Sequence, residues 1–130
     1  MPAPHWYDYA IVRVVPRVER GEFVNAGVIV WCAARKSLRA RVLLDEARVR
    51  ALDPSADLAA IRHALEAIPV ICCAASDEGP LKGMTPRQRF DWLVAPRSAS
   101  IQTSPVHCGR TDDLDDVVDH LFDRLVVAPR

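Results

Sequence analysis

Two polar segments carry the side chains best suited to hold a ligand. The first is Val18-Glu19-Arg20-Gly21-Glu22-Phe23-Val24-Asn25-Ala26-Gly27, which sets Arg, Glu and Asn between apolar residues. Glu22 and Asn25 here can line a site with Arg13 or Arg17. The plainer alternative is a long hairpin connection in which Asn25 bonds its own backbone. The second segment is Ala95-Pro96-Arg97 followed by Ser98, Ser100, Gln102, Thr103 and Ser104. An arginine presents a fork of donors that matches phosphate or carboxylate, and the hydroxyls add further polar groups. The plainer alternative there is an ordinary loop, with Arg97 paired to Asp91. The candidate binding residues are therefore Arg13, Glu22, Asn25, Arg97, Gln102 and Ser104, with anion binding as their common chemistry.

No complete catalytic constellation accompanies them, and no catalytic residue is assigned. The histidines, His5, His63, His107 and His120, are well separated in sequence. The nucleophile elbow G-x-S-x-G, the zinc motif H-E-x-x-H and the glycine-rich phosphate loops are all absent from the sequence. Asp112, Asp113, Asp115 and Asp116 form an acidic cluster. It lacks the glycine and terminal glutamate of a calcium loop and suits the positive end of a helix. His107–Cys108 has no second ligand pair at zinc spacing. No metal and no cofactor are expected. Arg87, Arg89 and Trp92 interleave basic and aromatic character, as a nucleic-acid surface does. Seventeen basic residues balance seventeen acidic ones, however, which weighs against nucleic acid as the partner.

The elements that must position these residues follow from periodicity. Residues 6–18 predict a strand with Tyr7, Tyr9, Ile11, Arg13 and Val15 on one face and Asp8, Ala10, Val12 and Val14 on the other. Residues 26–34 and 38–44 predict two more strands, so the chain opens as an antiparallel meander. Asp45 caps a short helix ending near Leu52. A second helix starts at Asp53-Pro54 or Ser55, buries Leu58, Ile61, Leu65 and Ile68, and kinks or ends at Pro69. Residues 70–75 are ambiguous between helix and strand, and 76–84 form a loop. Thr85-Pro86-Arg87-Gln88 starts a third helix with a capping box and turns Phe90 and Leu93 inward. Residues 100–107 predict a later strand interrupted by Pro105. Thr111 caps a last helix whose Leu114, Val117, Val118, Leu121, Phe122, Leu125 and Val126 form one apolar stripe.

Half of the 130 residues are hydrophobic, enough for a real core. The expectation is a single domain over 1–130, ordered over about 6–127. No apolar run is long enough to span a bilayer, and residues 1–8 carry no signal pattern, so a cytoplasmic protein without a membrane partner is expected. Cys32, Cys72 and Cys73 lie in apolar stretches and are expected to be buried, reduced thiols; Cys108 is the fourth cysteine. Charge is uneven. Residues 1–50 carry nine basic and five acidic groups, and 51–79 carry one and five. Residues 80–110 carry five and one, and 111–130 carry two and six. The strand-rich segments are basic and the helical ones acidic, which gives either two opposed faces or an interleaved surface.

The stretches R-G-E-x-x-N-x-G (residues 20–27) and A-P-R…I-Q-x-S (residues 95–104), with Tyr7-Asp8-Tyr9-Ala10-Ile11-Val12-Arg13 and the final Leu/Val helix, carry a resemblance. Over about residues 6–127 the chain resembles the small bacterial domain-of-unknown-function family numbered 3037. That resemblance implies no catalytic residue. It implies a regulator or partner of a kinase-like protein of the persistence-toxin type. The fold expected is α+β: a mostly antiparallel sheet, made of the N-terminal three-strand meander plus a later strand, with helices packed against it. The function expected is a non-enzymatic binding or accessory module acting on a protein partner. One alternative is a small enzyme on a phosphorylated or nucleotide substrate, with Arg13, Asn25, Arg97 and Glu22 converging in one pocket. A nucleic-acid-binding module is the other. An exposed meander edge, or apolar surface near Trp6, suits a homodimer.

Overall fold

The computed structural model describes residues 4–73, 81–97 and 99–129. Strands β1 (His5–Val14), β2 (Val24–Cys32) and β3 (Ser37–Val42) form the predicted meander. Helices α1 (Glu46–Leu52), α2 (Leu58–Cys72) and α3 (Pro86–Val94) follow. The chain then adds β4 (Ile101–Thr103) and β5 (His107–Thr111) and ends in α4 (Leu114–Leu125). The five strands are antiparallel in the order β3-β2-β1, with β4 and β5 in succession along the other edge of β1. The expected loop at 76–84 lies outside the described residues up to Pro80, as do Ala74, Ala75 and Ser98.

Helices cover both faces of the sheet. On one face Val12, Val14, Val24, Ala26, Ile29 and Trp31 meet Val49 of α1, Ile61, Leu65 and Ile68 of α2, and Phe90 and Leu93 of α3. On the other, Val28, Val30 and Cys32 meet the predicted apolar stripe of α4. A strand covered on both sides cannot alternate polar and apolar residues, which is why Val28-Ile29-Val30-Trp31-Cys32 is one apolar run.

Two register slips shape the sheet. Between β1 and β2 the register shifts at Val12/Arg13, leaving one extra residue on β2. This slip is why Val24 and Ala26 share a face with Ile29 and Trp31. Gly27 lies at the slip, where an added Cβ would stand 2.7 Å from the Arg41 carbonyl oxygen and 2.8 Å from Val42 Cγ1. The second slip is between β4 and β5, where Pro105 interrupts the predicted strand. Ser104 bridges it. Its Oγ accepts from the Ile11 N–H at 2.8 Å and donates to the Pro105 carbonyl at 2.9 Å, while its own N–H donates to the Ile11 carbonyl at 2.8 Å. The side-chain hydroxyl thus serves a ladder donor that the interruption leaves over.

Several boundaries differ from the sequence reading. Helix α2 starts at Leu58, capped by Asp57, rather than at Asp53-Pro54. Asp53 instead closes α1; its carboxylate accepts from the Ser55 hydroxyl at 2.8 Å, the Ser55 N–H at 3.0 Å and Arg17 at 3.4 Å. Helix α2 also runs through Pro69 to Cys72. Ile68 and Cys72 keep burying the same stripe, and that packing offsets the hydrogen bond Pro69 cannot make. Thr111 belongs to β5, and Asp113 caps α4 by accepting from the Asp116 N–H at 3.2 Å. Asp45 and the Thr85–Gln88 capping box stand as expected.

Gly27→Ala is expected to destabilise the fold by about 1–3 kcal/mol, because the new methyl group forces β3 backbone to move; chemical denaturation measures it. Asp53 supplies a pH test. Hydrogen bonds from Ser55, helped by Arg17, hold its carboxyl below the ordinary carboxylate range. A carboxyl with a lowered folded pKa adds stability above its unfolded pKa and loses it as pH falls through the folded value. Asp53→Asn should therefore flatten the acid limb of a urea-midpoint-against-pH curve relative to the parent, with little pH-dependent difference remaining at the lowest pH.

Candidate functional site

Strand register brings three of the six candidate residues together. Arg13 stands opposite Asn25 on β2 and opposite Gln102 on β4. Residues directly opposed in an antiparallel ladder share a face, so Asn25, Arg13 and Gln102 form one row across three strands, on the side that carries α4. Asn25 Nδ2 donates to the Leu125 carbonyl at 3.0 Å and so ties β2 to the last turn of α4. The Arg13 guanidinium lies 4.1 Å from the centroid of Phe23, a cation–π contact. Arg13 Nε and Asn25 Oδ1 are buried without a hydrogen-bond partner. Gln102 folds back to donate to the Ala99 carbonyl at 3.0 Å.

The other three candidates lie elsewhere. Ser104 is buried and bridges the β4–β5 slip. Glu22 accepts from Arg20 across the turn that Gly21 makes at φ 70°, a left-handed conformation glycine adopts without strain. Arg97 follows α3 on the opposite face of the sheet. It donates to the Trp92 carbonyl and lies 4.3 Å from the Trp92 ring centroid. Asp91, its expected partner, takes Arg87 instead at 3.1 Å. The pocket expected from Arg13, Glu22, Asn25 and Arg97 together is thus not formed: Arg97 is positioned by α3, which packs on the face away from Asn25.

Arg97 borders a different feature, which the candidate Gln102 also lines. An open groove of about 470 Å³ runs between α2, α3 and β4, lined chiefly by Ala64, Ala67, Ile71, Trp92, Arg97 and Ile101. Trp92 is 42% exposed beside it. The α2 residues of this groove were missed because only the buried stripe was read. Their signal was present: the outward side of α2 carries Ala59, Ala60, Ala64, Ala67 and Val70, more apolar surface than one buried stripe requires.

The Arg87–Arg89–Trp92 surface does not assemble. Arg89 is 4% exposed and donates to the Ile71 carbonyl at 3.0 Å and the Met84 carbonyl at 3.2 Å, joining α3 to α2. Arg87 is held by Asp91. The four cysteines are free; Cys32 and Cys72 are buried, whereas Cys73, just beyond α2, is exposed, contrary to expectation. Cys108 Sγ donates to Asp8 Oδ1 at 3.2 Å across the β1–β5 ladder. Among the described residues no three His, Cys, Asp or Glu side chains cluster as a metal site would need, and no helix is long and apolar enough to cross a membrane.

These features define an antiparallel α+β domain with helices on both faces and an apolar groove at one edge of its sheet. The chain matches, over residues 9–126, the family described as a protein of unknown function, DUF3037, and it belongs to that family. No curated protein and no solved structure matches the chain.

Thiol chemistry tests the electrostatics around the sheet. Burial pushes the Cys72 thiol up to about 12, and the Asp8 carboxylate that accepts from Cys108 raises that thiol as well. The thiolate is the reactive form. Iodoacetamide with mass spectrometry should therefore label Cys73 first, Cys108 slowly despite its exposure, and Cys32 and Cys72 only on unfolding. Asp8→Asn should speed labelling at Cys108 and leave Cys73 unchanged.

Proposed function

We propose that this protein is a single-domain, non-enzymatic binding module that works in the cytoplasm as an accessory to a protein partner. One observation carries the reading: the groove between α2, α3 and β4, apolar in its lining, with Trp92 and Arg97 at its rim. Its volume lies in the range of functional pockets. An aromatic side chain beside an arginine is the pairing enriched where interfaces concentrate their binding energy. The family resemblance points to a kinase-like protein as the partner class. Ala67 is exposed and lines the groove, so Ala67→Trp fills it with little effect on the core. Co-expressed with a tagged kinase-like protein from the same genome, the parent chain should co-purify, and Ala67→Trp should bind about tenfold more weakly. Equal recovery of parent and variant would overturn the reading, as would catalytic turnover abolished by changing one polar residue.

A second reading rests on the Asn25–Arg13–Gln102 row. Arg13 Nε is a buried donor without a partner among the described residues, which supports a small anionic ligand, the chemistry of an enzyme for phosphorylated or nucleotide substrates. It requires calorimetric binding of inorganic phosphate or a mononucleotide that Arg13→Gln removes.

A further inference from the structure

The groove has one wall made of backbone. Strand β4 ends the sheet beyond β1, and its hydrogen bonds show which of its groups have no partner among the described residues. The Val15 N–H donates to the Ser100 carbonyl at 2.7 Å, and the Ser104 N–H donates to the Ile11 carbonyl at 2.8 Å. With Arg13 opposite Gln102 between them, antiparallel alternation assigns residues 100, 102 and 104 to the bonds with β1. The N–H and C=O groups of Ile101 and Thr103 therefore aim away from β1. The same two residues lie on the helix-covered face: Ile101 packs against the core of α1–α3, and the Thr103 hydroxyl donates to the Val94 carbonyl at 3.4 Å. Ile101 and Thr103 both line the groove.

We propose that the groove receives an extended segment of a partner protein, which adds to β4 as an outer strand with its apolar side chains in the groove and a carboxylate on Arg97. This inference rests on the binding-module reading and specifies the partner's chemistry. A strand laid outside β4 finds the free groups of Ile101 and Thr103 at alternate positions, the arrangement that strand addition uses. Its residues opposite those two share their face and point toward Ala64, Ala67, Ile71 and Trp92. The small side chains on α2 leave room for them. The residue between points away, so two apolar side chains two positions apart fit, and a run of adjacent ones does not. Arg97 supplies the charge term. It is stacked on Trp92 and has no carboxylate within ion-pair distance among the described residues. Its remaining donors suit an acidic side chain or a terminal carboxylate.

The test selects a phage-displayed library of random linear peptides on the full chain, with Ala67→Trp as the counter-selection. The expected winners alternate apolar and polar residues next to an Asp or Glu. Bound to the chain, a synthetic winner should protect the Ile101 and Thr103 amides from hydrogen exchange by NMR. N-methylating the peptide amide that faces β4 should weaken binding about tenfold, and this probe leaves the protein unaltered. Arg97→Glu should reverse the preference, so that a peptide with Lys in place of its acid binds better than the original. Winners with helical spacing that leave both amides exchanging would overturn strand addition and keep the binding-module reading. Failure to enrich any peptide over Ala67→Trp would overturn both. A dimer of the chain that Thr103→Pro disperses would replace the partner segment with a second copy and overturn the proposal.

Discussion

Gly27 lies where the β1–β2 register slips by one residue, and its missing side chain lets the Arg41 carbonyl and Val42 close in from β3. Much of the architecture depends on that close approach. The slip reverses which residues of β2 face which helices, so Val24 and Ala26 can join Ile29 and Trp31 under α1–α3 while Val28, Val30 and Cys32 meet α4. An unbroken ladder would turn one of these sets to the wrong side. The slip also aligns Arg13 with Asn25, and Asn25 holds the end of α4 through Leu125. One local backbone irregularity thus coordinates the meander with the last helix.

The charge blocks along the sequence resolve into pairs between elements. Basic β3 meets acidic α4 through Arg39–Asp115 at 3.1 Å and Arg41–Asp119 at 2.8 Å. Arg17 reaches Asp53, and Arg62 reaches Glu46. The exposed β3–α4 pairs each contribute at most about 1 kcal/mol. Their larger effect is on orientation: α4 carries Asp115 and Asp119 on the side that meets β3, and a reversed α4 would lose those partners. Arg41 also stacks on Phe122, at 4.2 Å from its centroid, so the same side chain packs as well as pairs.

Periodicity made the meander and the stripe of α4 legible, because both are patterns within one segment. Residues whose roles depend on distant segments were not legible. Ser104 looked like part of an anion loop; its hydroxyl serves the Ile11 N–H across 93 residues of sequence. Asp53 looked like a helix start, but its N–H closes the preceding helix on the Val49 carbonyl while its carboxylate accepts from Ser55. Arg97 and Asn25 carry similar chemistry in sequence, yet no local pattern says that α3 and α4 cover opposite faces. The stretch R-G-E-x-x-N-x-G was correctly singled out, and its residues divide among separate tasks: Gly21 makes the turn, Asn25 anchors α4, and Gly27 admits β3.

That division bears on where the proposed binding site lies. Most of the polar residues that make the segments recognisable are engaged within the fold, and Arg13, the chief exception, lies beneath Phe23. The α2–α3–β4 groove is different in kind. Ala64 and Ala67 are exposed small residues that the core does not require, and Trp92 is a large aromatic left 42% exposed, with Arg97 stacked on it. A surface stabilised only by internal packing has no need to keep an aromatic ring and apolar helix positions open to water. Because the groove ends at a strand whose outward backbone groups have no partner among the described residues, the same edge that would expose the sheet to unwanted pairing is bounded by α2 and α3, which restrict what can lie against it. In the proposed strand addition, specificity at this edge comes from two sources at once: backbone pairing sets the spacing of an incoming segment, and the Ala-lined wall with Arg97 sets which side chains it carries.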